Sequence, residues 1–208
     1  MEKIGILGAG GQADEAKSFL KDTEVAFYAV DEKFIDSNIA EQIDIATPEE
    51  YQIMLPVVAA IGAPDLRRKM VEEWSGERFT TIIAEHAYVD KSSKIGEGTI
   101  VAPRAVITTN VEIGKHAIIN VAASISHNCK LGDYVTVSPG AHIAGNVIFG
   151  DGVFIGIGAV VSNNVELASG VVVGAGAVVL NSVEQPNSVL VGSPARSIRV
   201  NEGWLREV

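Results

Sequence analysis

The sequence has few of the residues on which secreted, membrane-anchored or nucleic-acid-binding proteins depend. It contains a single cysteine, Cys129, which excludes an intrachain disulfide and a multi-cysteine metal site. Only 16 Lys and Arg residues stand against 26 Asp and Glu residues, so neither a nucleic-acid surface nor a basic membrane anchor is expected. No apolar run approaches the roughly 18 residues of a membrane span, and Met1 to Ile4 does not resemble the start of a signal peptide. We therefore expect a cytoplasmic protein without a metal site.

Aromatic residues are also scarce. They make up 6% of the 208 residues, whereas glycine occurs 21 times. Ordinary cores are richer in large side chains, so a long stretch of this fold must favour small residues. The length allows one or two domains, and a charged fraction of 20% argues against a disordered chain.

The first 84 residues alternate between strand and helix patterns. We predict strands at 3–7, 25–30, 56–61 and 79–84 and helices at 13–21 and 65–74. A further helix is predicted with Thr47 as its N-cap, Pro48 at the first helical position and Glu50 completing a capping box. This alternation predicts an α/β domain over residues 1–84, a small Rossmann-like parallel sheet with βαβ units.

Residues suited to a nucleotide lie where these strands end. Gly8-Ala9-Gly10-Gly11 joins the first strand to the first helix, where backbone N–H groups can bind phosphate. Asp31 and Gly62 end the second and third strands at the same sheet edge. The third position of the dinucleotide fingerprint is Ala13, so a mononucleotide or sugar nucleotide is favoured over NAD. A tight turn without a ligand, and a solvated acid at Asp31, are the alternatives.

Beyond residue 89 the chain repeats every six residues. A small residue stands four positions after each large apolar one. The large residues are Val89, Ile95, Val101, Ile107, Ile113, Ile119, Ile125, Leu131, Val137, Ile143, Phe149, Ile155, Val161, Leu167, Val173 and Val179. These 16 hexads predict a solenoid with three hexads in each triangular coil. Residues 85–208 are predicted to form this domain, with the last residues through Trp204 capping its open end.

His127 is the histidine whose context suggests chemistry. The inward positions Ile125 and Cys129 on either side force its imidazole outward. A rigidly placed, outward histidine can act as a general base near neutral pH, and a surface histidine without a role is the alternative. His116 and His142 occupy non-core positions and are predicted to lie at the surface. Cys129, at the small inward position, is predicted to be a buried structural thiol.

Four segments together resemble a known family. They are Gly8-Ala9-Gly10-Gly11, Ser126-His127-Asn128-Cys129-Lys130-Leu131-Gly132, Ser138 to Val147, and Val191-Gly192-Ser193-Pro194-Ala195-Arg196. The chain is similar to the bacterial sugar O-acyltransferases, which include sialic acid O-acetyltransferases and N-acetyltransferases of nucleotide-linked amino sugars. The resemblance implies a left-handed parallel β-helix of hexapeptide repeats and a homotrimer with active sites between subunits. It also implies acetyl-CoA as co-substrate and no metal.

The resemblance further implies roles for single residues. His127 would be the general base that takes a proton from a sugar amine as the amine attacks acetyl-CoA. Asn128 stands where the family usually has an acid, and an amide can orient the imidazole without stabilising the imidazolium as a carboxylate does. The sugar nucleotide would contact Gly8, Ala9, Gly10, Asp31, Glu32, Gly62 and Asn120. Acetyl-CoA would contact Thr136, Gly145, Ile157 and Ala175.

Three functions stay open at this point. The leading one is acetylation of the amino group of a nucleotide-linked amino-deoxy sugar. The same base could instead serve the O-acetylation of a sugar such as sialic acid. A non-catalytic trimer that binds a nucleotide sugar is the third, and Asn128 in place of an acid favours it. The sequence does not distinguish UDP, dTDP and GDP.

Overall fold

A computed structural model describes residues 1–36, 38–39 and 41–207, and its first part alternates strands and helices. The elements are β1 (Glu2–Leu7), α1 (Gly11–Ser18), β2 (Thr23–Val30), a 3-10 helix (Glu32–Phe34), β3 (Gln42–Asp44), α2 (Glu50–Ile53), β4 (Val57–Ala59) and α3 (Pro64–Glu73). The four strands are parallel and lie in the order β3-β2-β1-β4. Within the described residues, no helix combines the length and the apolar character needed to span a bilayer.

Helices cover both faces of this sheet. Ile4 and Ile6 of β1 pack with Ala13 of α1 on one face. On the other face, the ring of Phe27 stacks on that of Trp74, the residue after α3, with 5.6 Å between the ring centroids. Alternate residues of a strand point to opposite faces, so both sets are buried, as in a doubly covered parallel sheet.

One local prediction in this part fails, and one strand was not predicted. Glu49, not Thr47, is the N-cap of α2, and its backbone N–H donates to Oε1 of Gln52 at 2.7 Å. The Thr47 hydroxyl donates instead to Asp44 at 3.2 Å, so it is engaged in a turn that precedes the helix. The strand β3 was not predicted, because three residues with a single apolar side chain are too short a run to show a strand pattern.

The strand predicted at 79–84 divides between the two parts of the chain. Phe79 forms an isolated bridge to Val57 of β4. Ile82–Ile83, by contrast, forms β5 and pairs with Ile100–Val101 of the second part. The repeat therefore begins one hexad earlier than predicted, and the domain boundary after residue 84 remains a prediction.

The second part is a stack of two-residue strands. They are β5 (Ile82–Ile83), β6 (Tyr88–Val89), β7 (Lys94–Ile95), β8 (Ile100–Val101), β9 (Val106–Ile107), β10 (Glu112–Ile113), β11 (Ile118–Ile119), β12 (Ser124–Ile125), β13 (Lys130–Leu131), β14 (Thr136–Val137), β15 (His142–Ile143), β16 (Ile148–Phe149), β17 (Phe154–Ile155), β18 (Val160–Val161), β19 (Glu166–Leu167), β20 (Val172–Val173) and β21 (Val178–Val179). From β6 onward each ends at a predicted large apolar residue. Partners in these ladders lie 18 positions apart, as Ile118 does from Thr136, so three hexads form one coil as predicted.

The coils build three parallel sheets that are the walls of a triangular prism. The eight-stranded sheet contains β5, β8, β11, β14, β17 and β20, followed by β22 (Ser188–Val191) and the antiparallel β23 (Arg196–Val200). The six-stranded sheet contains β6, β9, β12, β15, β18 and β21, and the five-stranded sheet contains β7, β10, β13, β16 and β19. The second residue of most of these strands points into a continuous core, which includes Cys129. Burial raises the pKa of the Cys129 thiol, as expected for a structural cysteine.

Turns at three corners join the sheets. The Asn120 corner, residues 120–123 and their equivalents 18 residues away, joins the eight-stranded sheet to the six-stranded one. The His127 corner (126–129 and equivalents) joins the six-stranded sheet to the five-stranded one, and the Tyr134 corner (132–135 and equivalents) closes the triangle. Nearly every turn contains one residue with positive φ, such as Asn128 at 59°, a conformation that glycine and asparagine adopt most readily.

The outer faces of the three sheets differ in character. Ile100 and Ile118 of the eight-stranded sheet pack against the core of the α/β part. The five-stranded sheet is charged, with Lys94 and Glu112 paired at 3.2 Å. The six-stranded sheet presents only uncharged outward residues, which are Tyr88, Val106, Ser124, His142, Val160 and Val178. Tyr88 is 55% exposed and Val106 38%, so this face lies open in the single chain.

The C-terminal residues run back along the Tyr134 corner. Contrary to the prediction, Trp204 therefore does not cover the open end of the prism. The Trp204 ring lies 6.1 Å from that of Tyr134, and a side chain at Gly152 would overlap it. Arg206 then pairs with Asp65 of α3 at 2.9 Å. The tail therefore links the coils to the α/β part.

His116 is buried, contrary to the surface position predicted for it. It is 4% exposed, with its ring edge-on to Phe79 at 4.6 Å and stacked on Tyr134 at 5.2 Å. Burial lowers the pKa of His116 to about 4, so the imidazole is neutral at pH 7. The hexad spacing places His116 on the outside of the prism, but Phe79 and Tyr134 cover it there.

Candidate functional site

A groove of about 490 Å³, the sheet-edge groove, lies at the carboxyl edge of the α/β sheet. The strands β1, β2 and β4 all end there, and the strand order changes direction between β1 and β4. Open α/β sheets bind their ligands at such a point. Of the predicted substrate residues, Gly8, Ala9, Gly10, Asp31 and Gly62 line it. Glu32 is exposed and lies outside the lining.

The glycine turn shapes the floor of this groove. Gly8 has a φ of +107°, and a Cβ there would lie 2.9 Å from Ile61 and 3.1 Å from the carbonyl of Ala60, so only glycine fits. The helix α1 begins three residues later with Gly11, which lines the same groove. The first N–H groups of a helix lack intrahelical acceptors, so this end can bind a phosphate.

The far wall of the sheet-edge groove combines acidic and apolar side chains. Asp31 pairs with Lys33 at 3.1 Å. The carboxylate of Asp36 accepts two hydrogen bonds from Asn38, one from its backbone and one from its side chain, and they lower the pKa of Asp36. Phe34 adds an exposed ring to the same wall. Carboxylates beside an apolar surface suit a ribose and a base.

A second groove, the corner groove, follows the Asn120 corner and has a volume of about 270 Å³. It is lined by Gln12, Gly62, Asn120, Thr136, Ser138, Pro139, Phe154, Gly156, Ile157 and Ala175. Three of the residues predicted to contact acetyl-CoA are therefore here, and Ile157 is 62% exposed. Gln12 and Gly62 line both grooves, so the two grooves meet at these residues. The side chain of Asn120 donates to Oε1 of Gln12 at 3.4 Å.

Arg67 of α3 connects the α/β part to the coils beneath this junction through hydrogen bonds to both. Its guanidinium is fully buried and donates to the Gly62 carbonyl at 3.1 Å and to the Thr136 hydroxyl at 3.0 Å. Thr136 in turn donates to the Gly62 carbonyl at 2.9 Å, so its hydroxyl is engaged inside the protein. Further bonds run to the carbonyls of His116 at 2.8 Å and Tyr134 at 2.6 Å. Burial lowers the pKa of Arg67 to about 9, which leaves it charged at neutral pH.

His127 lies at a different corner of the prism. Its ring is exposed, and its Nδ1 lies 3.1 Å from Nδ2 of Asn128. Gly145, one coil further on, lies directly against the ring, since a Cβ there would be 2.5 Å from Cε1 of His127. The glycine therefore leaves room for the imidazole, and Asn128 holds its edge.

One chain does not bring all the predicted site residues together. Asn120, Thr136, Ile157 and Ala175 belong to the corner groove, whereas His127 and Gly145 lie at the other edge of the six-stranded sheet. A full wall of the prism separates the two sets. The predicted base can reach the corner groove only if a second copy supplies it.

Two residues at the junction of the grooves, Gln12 in the lining and Arg67 beneath it, escaped the sequence analysis. Gln12 and Arg67 have polar side chains on helices, with no motif to distinguish them from solvated residues. The separation of Asn120 and His127 in the sequence was informative, because it exceeds one hexad and so predicts that the two residues lie at successive corners of the prism. Across the described ranges, no three His, Cys, Asp or Glu side chains converge as a metal site requires.

No protein-family model matches this chain, and no curated protein matches it either.

Comparison of structures finds close likenesses over nearly the whole chain. A histidine-to-asparagine variant of perosamine N-acetyltransferase from Caulobacter crescentus, in complex with CoA and GDP-perosamine, is 29% identical with a TM-score of 0.85, over 95% of this chain and 97% of that one. The acetyltransferase domain of PglB from Neisseria gonorrhoeae, in complex with acetyl coenzyme A, is 27% identical with a TM-score of 0.81, over 95% and 99%. WeeI from Acinetobacter baumannii is 27% identical with a TM-score of 0.80, over 95% and 100%. These likenesses confirm the predicted α/β domain followed by a left-handed β-helix.

Proposed function

We infer that the chain is a hexapeptide-repeat sugar acetyltransferase, and we propose that it transfers the acetyl group of acetyl-CoA to the amino group of a nucleotide-linked amino-deoxy sugar. One observation carries the proposal. The sheet-edge groove and the corner groove meet at Gln12 and Gly62. This arrangement occurs in a chain that matches, over 95% of its length, a structure containing both CoA and GDP-perosamine.

The sheet-edge groove is the proposed nucleotide site. Its glycine turn and the start of α1 suit a diphosphate, while Asp31 and Phe34 suit the nucleoside. The net charge of -10 does not prevent this, because backbone N–H groups bind anions locally. The sugar would then extend past Gly62 toward Asn120. GDP is the first nucleotide to test, since GDP-perosamine is bound in a similar structure.

The corner groove is the proposed acetyl-CoA site. Ile157 and Ala175 continue it along the outside of the later coils, which suits an extended pantetheine chain. Because the hydroxyl of Thr136 is engaged by Arg67 and Gly62 and its backbone N–H donates to the carbonyl of Val153 at 2.9 Å, we propose that Thr136 contacts the co-substrate only through van der Waals packing. Gly145 would contact the same ligand only from a neighbouring copy.

We propose a homotrimer in which the six-stranded sheets face the three-fold axis. This face is uncharged, with Val106 38% and Val160 39% exposed, and such a surface favours association. The two edges of the face are the Asn120 corner and the His127 corner. Closing a three-fold ring through it places His127 of one copy beside the corner groove of the next.

The chemistry then needs no covalent enzyme intermediate. The sugar amine attacks the thioester carbonyl carbon, and His127 takes a proton from the nitrogen as the C–N bond forms. The C–S bond breaks, and the departing CoA thiolate receives that proton from the imidazolium. The products are the N-acetyl sugar and CoA. We place this reaction in the cytoplasm, which supplies acetyl-CoA and keeps a lone thiol such as Cys129 reduced.

The release of CoA measured with a panel of sugars tests this function. We expect turnover with a GDP-, UDP- or dTDP-linked amino sugar and none with the matched sugar that carries a hydroxyl in place of the amine. Turnover of the hydroxyl sugar alone would establish O-acetylation instead. If nucleotide sugar raised the melting temperature while acetyl-CoA neither bound nor reacted, the chain would be a binding protein and not an enzyme.

A further inference from the structure

A row of asparagines runs through the His127 corner. Asn110, Asn128, Asn146 and Asn164 occupy the same turn position in four successive coils, each with a φ between 55° and 59°. The left-handed conformation explains why asparagine is favoured at each position. It does not explain why the four side chains form hydrogen bonds from one coil to the next.

These side chains form a hydrogen-bonded ladder with one direction. Nδ2 of Asn110 donates to Oδ1 of Asn128 at 3.4 Å, and Nδ2 of Asn128 donates to Oδ1 of Asn146 at 3.1 Å. Nδ2 of Asn146 then donates to Oδ1 of Asn164, also at 3.1 Å. Each amide can turn over, but turning one breaks its bonds unless its neighbours turn as well. The ladder therefore has two self-consistent directions.

The ladder direction decides which nitrogen of His127 carries the proton. The group of Asn128 that faces Asn146 also faces Nδ1 of His127, at 3.1 Å. In the direction present, this group is the NH2, which can only donate, so Nδ1 must accept and the proton of the neutral ring lies on Nε2. In the reverse direction, Oδ1 of Asn128 accepts from Nδ1–H and leaves Nε2 free to take a proton.

We propose that the asparagine ladder is a tautomer switch for His127, and that Asn110, Asn146 and Asn164 are positioning residues. The reversed ladder is the direction competent for catalysis, because it presents an unprotonated Nε2 as a carboxylate at position 128 would. The catalytic part of this proposal rests on the proposed function. The tautomer part stands on the hydrogen bonds alone.

Two aspartate variants lock the ladder in opposite directions. A carboxylate only accepts, so Asn146→Asp fixes the NH2 of Asn128 toward His127, and Asn110→Asp draws that NH2 to the other side. Each substitution adds one negative charge one coil away from Asn128, so the pair is matched in charge. We expect the proton on Nε2 in Asn146→Asp and on Nδ1 in Asn110→Asp, as measured by the 15N chemical shifts of the His127 ring. We also expect kcat of Asn146→Asp to be about tenfold or more below that of Asn110→Asp, because a histidine base in the wrong tautomer cannot accept the proton.

A third variant keeps the test valid if Asn146→Asp fails to fold. Asn164→Asp accepts from Asn146 and so locks the same direction as Asn146→Asp from two coils away. The same tautomer in all three variants would overturn the proposal, whatever their rates. Opposite tautomers without acetyl transfer in any variant would uphold the ladder and contradict the proposed function. Different rates with one common tautomer would show that the asparagines act only through charge or packing.

Discussion

Replacing His127 by alanine lowers kcat by about 10²-fold or more, the usual contribution of a positioned general base. The side chain is exposed and projects from a rigid turn, so its loss leaves the core of the prism unchanged. We therefore expect both ligands to raise the melting temperature of the variant as they do for the parent. Steady-state release of CoA and a thermal-shift titration measure the two quantities.

His86 provides the control for this experiment. It is also exposed, and it lines neither the sheet-edge groove nor the corner groove. His86→Ala should leave the rate of acetyl transfer at saturating substrate near that of the parent. An unchanged kcat in His127→Ala would remove this residue from the mechanism, and equal losses in both variants would point to a general effect of exposed histidines.

Replacing Arg67 by methionine has the largest expected effect on stability. The substitution leaves the carbonyls of His116 and Tyr134 without this donor, and the Gly62 carbonyl keeps only the bond from the Thr136 hydroxyl. A buried carbonyl left without a donor costs about 1–3 kcal/mol, so we expect the free energy of unfolding to fall by about 2–5 kcal/mol. Because Gly62 lines both grooves, we also expect weaker binding of the nucleotide sugar. Denaturant unfolding at equal protein concentration, with and without ligand, measures both effects.

Lys69 supplies a matched control on the same helix. Its ammonium is half exposed and pairs with Asp65 at 3.3 Å, an arrangement worth about 1 kcal/mol or less. Lys69→Met should therefore unfold close to the parent. A similar small loss in Arg67→Met would mean that the junction between the α/β part and the coils does not depend on Arg67.

The β-helix was predictable from sequence because each coil imposes the same local demand. A large inward residue every sixth position and a left-handed turn between strands are requirements that each hexad meets by itself. The 16 predicted large residues accordingly end 16 successive strands. The outside of the prism was less predictable, because what covers it comes from distant segments. His116 is buried for this reason alone.

The α/β part was predicted in outline and missed in detail. Its parallel strands place Gly8, Asp31 and Gly62 at one edge, and that follows from alternation alone. The start of α2 was wrong because Asp44, three residues before Thr47, engages the hydroxyl that was expected to cap the helix. Competition between two local hydrogen bonds of similar strength is not decided by sequence pattern.

The junction of the grooves could not be predicted from spacing. Arg67 contacts carbonyls that lie 49 and 67 residues further along the chain, and no motif connects such positions. The separation of His127 from Asn120 was implicit in the hexad count. It becomes informative only with the proposal that His127 of one copy serves the corner groove of the next.

A mixed oligomer tests the shared site most directly. Ala175 is exposed in the corner groove, so Ala175→Trp should block acetyl-CoA without disturbing the core, and this variant is inactive alone, as is His127→Ala. The two are co-expressed with different affinity tags and purified through both. If His127 of one copy serves the groove of the next, the doubly tagged trimers regain about a third of the parent activity, because every mixed ring of three contains one site with both an intact His127 corner and an intact groove. Activity no higher than that of the separate variants would contradict a site built by two copies.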